Sequence, residues 1–302
     1  MKKLFAILAV TLLFSIWALG QDRSLRVPVQ EKVWDWLNPL PQGTNLNAVW
    51  MENRDSVFMV GDAGTIVHYD GKSWNLMSSW VTDNLKGVWG FNPGSGPIVF
   101  AVGENGTILR YDGTGWSTMT SNVTAHLRGI WGASPSQIFA VGDSGTILRY
   151  NGTSWTRLNS GTSNHIYGIW GSSASSVFAV GHNTTILKFD GAKWTPMTVS
   201  VWRADSPLRP DIWSVWGSCE SDVFAVGTSK ILHYNGQTWS DVTPSHLPNE
   251  SYGQKPGAVN YFGPLYSVWG TSSTNVFVGG RIQWTSWIDR KSTRLNSSHV
   301  SQ

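Results

Sequence analysis

The chain has little charge and almost no cysteine. One cysteine among 302 residues, Cys219, excludes an internal disulfide, so the fold must be stabilised by packing. Charged residues make up only 14% of the sequence, while tryptophan occurs 19 times and glycine 32 times. This composition excludes a disordered chain and a coiled coil, and it is typical of many short, well-buried strands.

An apolar run lies near the amino terminus. It extends over residues 4–17, follows Lys2 and Lys3, and precedes the small residues Ala18 and Gly20, which is the pattern of a secretory signal peptide. The run is shorter than the roughly 20 residues that span a bilayer. We therefore expect residues 1–20 to be a cleaved signal and 21–32 an N-terminal segment. The mature protein is then secreted or periplasmic, without stable membrane insertion.

The carboxyl-terminal residues 289–302 differ from the rest of the chain. Residues 289–299 read DRKSTRLNSSH, which matches the in-frame translation of a common sequencing adapter, so we expect a non-native tail after residue 288. Without the signal and this tail, five of 22 basic and one of 19 acidic residues are lost, leaving 17 and 18. A near-neutral chain lacks the positive field of a nucleic-acid binder, and we exclude that class of partner.

Six repeats of about 40 residues follow one another between residues 33 and 288. Each begins with a strand-like segment such as LKGVWG (85–90) or LRGIWG (127–132). The tryptophans of these segments are spaced by 39, 42, 39, 46 and 53 residues, the period of a β-propeller blade rather than of a helical solenoid. They are Trp50, Trp89, Trp131, Trp170, Trp216 and Trp269.

Three further strands complete each repeat. An apolar run such as VFAVG (177–181) is followed by a segment such as TILRYDG (107–113), whose Asp-Gly predicts a hairpin with a type I′ turn. The fourth strand carries a second regular tryptophan: Trp74, Trp116, Trp155, Trp194 and Trp239. The sequence thus predicts an all-β propeller of about six four-stranded blades, with seven or more open for the intact protein. A strand at residues 33–38, around Trp36, is expected to complete the last blade.

The repeat pattern VWG, VFAVG, GTILxYDG and xxW covers about residues 33–280. It resembles the repeats of exported bacterial propeller proteins, and more distantly those of photosystem II assembly-factor and Asp-box (sialidase-like) propellers. YDGKSW (69–74) and YDGTGW (111–116) resemble a shortened Asp-box, a turn element that is structural in those families. The resemblance implies the fold and predicts no activity.

Only the innermost strands of a propeller bring side chains of different blades together. The first ring position, just before each inner strand, holds Asn45, Asn84, His126, His165, Asp211 and Pro264. The second ring position, two residues later, holds Asn47, Lys86, Arg128, Tyr167, Trp213 and Tyr266. These two rings define the mouth of the channel, where polar and variable residues predict a binding site. The predicted binding residues are Asn84, Lys86, His126, Arg128, His165, Tyr167, Asp211, Trp213 and Tyr266. The alternative is a water-filled channel without a ligand.

Two long connections, 199–211 and 244–264, are expected beside the mouth over blades 4 to 6. They add Trp202, Tyr252, Tyr261 and Phe262 to an aromatic surface suited to sugar faces or a protein partner. A basic stripe of third-strand residues is interpreted as solvated surface: His68, Arg110, Arg149, Lys188 and His233. The acidic residues Asp62, Glu104 and Asp143 of the GDxGT-type turns are interpreted as turn-forming residues.

Two other kinds of site were considered. His126, His165, His182 and Asp211 could hold zinc or copper, but no short ligand spacing supports this, and we predict no metal and no cofactor. A glycosidase-type site would need paired carboxylates, for which Asp83, Asp205, Asp211 and Glu250 are available, or the clustered arginines of a sialidase, of which only Arg128 lies on an inner strand.

The favoured function is a monomeric binding or assembly module that presents the mouth to a glycan or protein partner. The alternative is a carbohydrate-active hydrolase or lyase on the same scaffold.

Overall fold

A computed structural model of the chain describes residues 43–199, 209–228, 230–244, 261–283 and 288–295. The chain divides into two compact units, Met1–Leu40 and Pro41–Gln302, and the described residues all belong to the second. The predicted signal peptide, the segment 21–32, the strand at 33–38 and most of both long connections lie outside them. No helical segment in the described part of the chain has the length and hydropathy of a membrane span.

Six antiparallel sheets follow one another along the chain, and the strands of each are paired in chain order. Blades 1 to 3 consist of β1 (Leu46–Asn53), β2 (Ser56–Gly61), β3 (Ile66–Tyr69), β4 (Trp74–Met77); β5 (Leu85–Phe91), β6 (Ile98–Gly103), β7 (Ile108–Tyr111), β8 (Trp116–Met119); and β9 (Leu127–Ser134), β10 (Gln137–Gly142), β11 (Ile147–Tyr150), β12 (Trp155–Leu158). The predicted β-propeller of four-stranded blades is confirmed.

Blades 4 to 6 repeat the pattern. They consist of β13 (Ile166–Ser173), β14 (Ser176–Gly181), β15 (Ile186–Phe189), β16 (Trp194–Pro196); β17 (Ile212–Cys219), β18 (Asp222–Gly227), β19 (Ile231–Tyr234), β20 (Trp239–Asp241); and β21 (Tyr261–Ser272), β22 (Asn275–Gln283), β23 (Ile288–Leu295). Blade 6 thus has three described strands, and β23 includes residues 289–295 of the expected non-native tail. The inner strands of successive blades pack against one another, from β1 through β5, β9, β13 and β17 to β21.

The second strands of blades 2 to 5 are covered on both faces, as their runs of apolar residues predict. Phe100 and Phe139 are fully buried, and one continuous core joins Phe58 of blade 1 to Leu85 and Val99 of blade 2. Burying a side chain of this size contributes about 1.5–3 kcal/mol. The core of the propeller therefore lies between blades, and each blade depends on its neighbours.

The hairpin between the third and fourth strands differs from the predicted type I′ turn, which needs positive φ at both central residues. Only the glycine is left-handed, for example Gly113 at φ 98°. The preceding Asp112 instead accepts hydrogen bonds from the backbone N–H groups of Thr114 and Gly115, at 2.9 and 3.1 Å. The aspartate thus acts as a side-chain cap of a four-residue loop, and it keeps an ordinary backbone conformation.

A tryptophan-on-glycine contact joins the inner strands of adjacent blades. A Cβ on Gly217 would lie 2.7 Å from the Trp170 ring, and one on Gly90 2.7 Å from the Trp50 ring. The same holds at Gly171 and Gly270. At these four positions the glycine of the WG pair gives room for the tryptophan of the preceding blade, whereas at Gly132 the side chain at 2.7 Å is Phe91.

Blades 1 and 6, the first and last blades of the chain, leave large apolar side chains of their inner strands exposed. Val49 and Met51 of β1 are each 60% exposed, whereas Val88, at the position of Val49 in blade 2, is 6% exposed. Trp269 of β21 is 55% exposed, unlike Trp131 at 5%. Met51 stands where the other blades have a glycine, so β1 has no room at this position for a tryptophan of the kind that Trp216 places on Gly270.

Candidate functional site

The first ring position joins each of blades 2 to 5 to the turn of the preceding blade. In four successive blades its side chain accepts a hydrogen bond from a backbone N–H of that turn, whose residue has a left-handed φ of 52 to 56°. The pairs are Ala63 N to Asn84 Oδ1 at 2.9 Å, Asn105 N to His126 Nδ1 at 3.1 Å, Ser144 N to His165 Nδ1 at 3.3 Å, and Asn183 N to Asp211 Oδ1 at 2.9 Å. The position therefore requires an acceptor, which Asn, His and Asp all supply.

This contact changes at the junction of blades 5 and 6. Pro264 occupies the first ring position there and has no side-chain acceptor. The turn of blade 5 is one residue shorter than that of blade 4, since Gly227 N donates to Lys230 O at 3.1 Å whereas Gly181 N donates to Thr185 O at 2.9 Å. Thr228 N donates to Asp211 O at 3.0 Å, as His182 N does to His165 O. The side-chain contact that ties blades 2 to 5 to the preceding turn is therefore not available to Pro264.

The acidic residues of the turns also contact residues of the mouth. Their interpretation as turn-forming residues did not predict this role. Asp62 accepts hydrogen bonds from the side-chain amides of Asn45 and Asn47, at 3.0 and 2.8 Å, and Lys86 Nζ lies 3.3 Å from Asp62 Oδ1. Hydrogen bonds from Asn47, Asn45 and Lys86 lower the pKa of Asp62 to about 2. Lys86 also approaches Glu104 at 3.6 Å, so one lysine bridges two carboxylates.

A second ionic group lies on blades 3 and 4. Arg128 donates to both oxygens of Asp143, and His165 Nδ1 lies 3.1 Å from Asp143 Oδ1. Burial alone would raise the pKa of Asp143, but the hydrogen bond and charge of Arg128 hold it below its usual value. The Ser144 N–H needs an unprotonated His165 Nδ1 as its acceptor, whereas the hydrogen bond to Asp143 needs a protonated Nδ1. His165 therefore makes one of the two hydrogen bonds at a time, depending on its tautomer.

Three aromatic side chains from blades 4, 5 and 6 form a row at the second ring position, here named the aromatic ladder: Tyr167, Trp213 and Tyr266. Tyr167 and Trp213 stack with centroids 4.5 Å apart and an interplanar angle of 18°. Trp213 and Tyr266 are 6.3 Å apart at 54°. The Arg128 guanidinium lies 5.5 Å from the Tyr167 centroid. Tyr266 at the far end is 53% exposed.

Asp211 borders the aromatic ladder. Its Oδ1 lies 2.8 Å from His182 Nδ1 as well as accepting from Asn183. Burial raises the pKa of Tyr167, and the negative charge of Asp211 raises it further. A carboxylate therefore lies at one side of the aromatic ladder. His182, which the sequence places in a nearby loop, contacts that carboxylate.

The structure brings the predicted site residues together in neighbouring groups: Asn84 with Lys86, Arg128 with His165 and Tyr167, and Asp211 with the ladder. His126 touches the turn of blade 2. Among the described residues no group of three His, Cys, Asp or Glu could hold a metal ion. Trp202 and Tyr252 lie outside the described residues, as do Asp205 and Glu250.

The basic stripe is not a purely solvated surface. Arg149 Cζ lies 5.8 Å from the Phe189 ring of the next blade, and Lys188 Nζ lies 5.4 Å from the Tyr234 ring of the blade after it. These cations therefore contribute to contacts between blades, as cations over aromatic faces do.

The chain is similar to two solved structures of YCF48. YCF48 bound to a D1 peptide is 15% identical with a TM-score of 0.47, and the match covers 85% of this chain and 93% of that chain. YCF48 from Cyanidioschyzon merolae is 15% identical with a TM-score of 0.47, and the match covers 86% and 98%. No model of a known protein family matches the chain, and no curated protein matches it.

Proposed function

We propose that this chain is a secreted or periplasmic binding or assembly module that holds a segment of a protein partner at its mouth over blades 4 to 6. The observation that carries the proposal is the aromatic ladder, which gathers Tyr167, Trp213 and Tyr266 from three blades and leaves Tyr266 53% exposed. Large aromatic side chains of this kind are enriched among the residues that dominate protein interfaces.

The geometry favours a protein segment over a glycan. Stacking on a sugar requires a free aromatic face, but Tyr167 and Trp213 cover one face of each other at 4.5 Å. Arg128 lies over Tyr167 as well. Ring edges, one exposed tyrosine and neighbouring polar groups remain, and these suit a peptide backbone with its side chains.

Binding is also favoured over catalysis. Asp83 and Asp211 are the described carboxylates that the sequence offers for acid–base chemistry. Asp83 accepts from Asn105 Nδ2 and Thr107 Oγ1 at 2.8 and 2.6 Å, and these bonds hold its pKa below the usual value. Asp211 holds the turn residue Asn183 and contacts His182. Both carboxylates thus have structural partners.

The test compares Tyr266→Ala with the matched control Trp80→Ala, because Trp80 is an aromatic residue in the connection between blades 1 and 2 that is 83% exposed. A photoreactive group placed beside each position is used to capture proteins from the secreted and periplasmic fractions, and a glycan array is run in parallel. We expect one protein to be captured by the native chain and by Trp80→Ala, but not by Tyr266→Ala. Capture that ignores Tyr266, or glycan binding that requires it, would contradict the proposal.

A further inference from the structure

Within the described residues, the aromatic ladder has a cation of the protein's own at one end and none at the other. Arg128 lies 5.5 Å from the centroid of Tyr167, the first ring of the ladder. Among the described residues, no lysine or arginine lies over Trp213 or Tyr266. In the described part of the chain Tyr266 is the last ring of the ladder, and it is 53% exposed.

The fixed charge beside these two rings is negative. The mouth holds the carboxylates of Asp62, Glu104, Asp143 and Asp211. Lys86 pairs with Asp62 and Glu104, and Arg128 pairs with Asp143. Within the described residues, the ion-pair partner of Asp211 is His182. Asp211 is hydrogen-bonded to Tyr167, whose ring stacks on Trp213, so its carboxylate lies beside the aromatic ladder. Within the described residues, a carboxylate without a lysine or arginine partner thus accompanies the two rings that carry no cation.

An aromatic face beside a carboxylate is the arrangement that attracts a guanidinium or an ammonium group, since the ring quadrupole and the negative charge act together. We infer that the partner segment at the mouth is basic, and that one of its arginine or lysine side chains lies against the exposed ring of Tyr266. It would repeat, two blades further on, what Arg128 does over Tyr167. This inference rests on the proposed function and specifies the chemistry of the partner.

The experiment measures fluorescence anisotropy with three labelled probes, which are Gly-Ser peptides carrying three arginines, three glutamines or three glutamates. We expect the arginine peptide to bind at least tenfold more tightly than the glutamate peptide. Its binding should weaken severalfold between 50 and 300 mM salt, because exposed charges are screened. The native full chain is used throughout.

Variants locate the contact. Tyr266→Phe keeps the ring and should bind the arginine peptide within about twofold of the native chain, whereas Tyr266→Leu should lose at least fivefold because a cation interacts with the ring face. Asp211→Asn removes the charge but keeps the acceptor that Asn183 needs, as Asn84 shows in blade 2. It should also weaken binding. Trp80→Ala is the control and should bind as the native chain does.

Equal binding of the three peptides, or equal binding by Tyr266→Leu and Tyr266→Phe, would overturn the inference. So would binding of the arginine peptide that survives Asp211→Asn unchanged. If the photoreactive capture still identifies a protein that depends on Tyr266, the proposed function stands without a basic segment. Failure of both experiments removes the mouth as a binding site.

Discussion

The tryptophan-on-glycine contact makes a sharp prediction for Gly217→Ala. The new Cβ would lie 2.7 Å from two atoms of the Trp170 ring and 2.8 Å from the Asp222 carbonyl oxygen. Gly217 is not left-handed, so the substitution introduces no backbone strain of its own. Trp170 must move away from blade 5, and the packing between blades 4 and 5 is lost in part.

Overpacking of this kind in a filled core costs roughly 1–3 kcal/mol. For a domain of this size each kcal/mol lowers the melting temperature by about 2–4 °C, so we expect a decrease of roughly 3–10 °C. The matched control is Gly115→Ala, where a Cβ would meet nothing within 4 Å. That variant should melt within about 1 °C of the native chain, since surface substitutions are usually near neutral.

The assay is thermal unfolding followed by circular dichroism, with urea unfolding as a check. Trp170→Phe shortens the ring that the new methyl group meets, so the double variant should be less destabilised than the sum of the single variants, by at least 0.5 kcal/mol. If Gly217→Ala proves as stable as Gly115→Ala, the contact does not hold adjacent blades together. Additivity of the two changes would refute the stated cause.

Three further predictions concern single residues. Because the pKa of Asp62 is lowered from 3.8 to about 2, its contribution to stability is present above pH 4 and is lost as the pH falls to 2; Asp62→Asn should flatten acid unfolding in that window, and an unchanged curve would contradict this. His126→Ala should cost about 1 kcal/mol in urea unfolding through the lost bond from the turn of blade 2, whereas His126→Asn, which keeps an acceptor, should cost less. Trp80 has a φ of 62° and is 83% exposed, while Asn122 and Gly161 hold its place in blades 2 and 3. Trp80→Gly should therefore stabilise the protein by roughly 0.5–1 kcal/mol; a loss of stability would show that the Trp80 side chain packs.

The strands were predictable because each blade repeats the same buried runs. Phe100 and Phe139 lie in such runs, bounded by glycine, and both are fully buried. The hairpin turn was predicted wrongly because Asp112 caps the loop through its side chain, and a dipeptide pattern does not distinguish this from positive φ. The sequence pattern therefore located the turn correctly but did not predict its backbone conformation.

The role of the first ring position depends on contacts between blades, which composition at a single site does not reveal. The variation from Asn84 to His126 looked like freedom to bind a ligand, yet both side chains accept from a turn residue 21 positions earlier. The same separation of 21 residues recurs between Ser144 and His165, so the sequence contains a periodic signal for this contact. The stacking of Tyr167 on Trp213 could not be read from the sequence, because it depends on the twist between two blades.

The central claim is that the blades are arranged around one axis, so that blade 1 and blade 6 approach each other and their inner strands share one mouth. It is tested by the distance between spin labels at Asn45 and Pro264, the first ring positions of these blades, in a chain whose exposed Cys219 is replaced by serine. Packed sheets are about 10 Å apart, so five successive steps in a straight stack place the labels at about 50 Å. We expect a single distance below about 25 Å, as a ring of six or seven such steps requires. A distance near 50 Å would show a linear stack, and the residues of the mouth would then not meet.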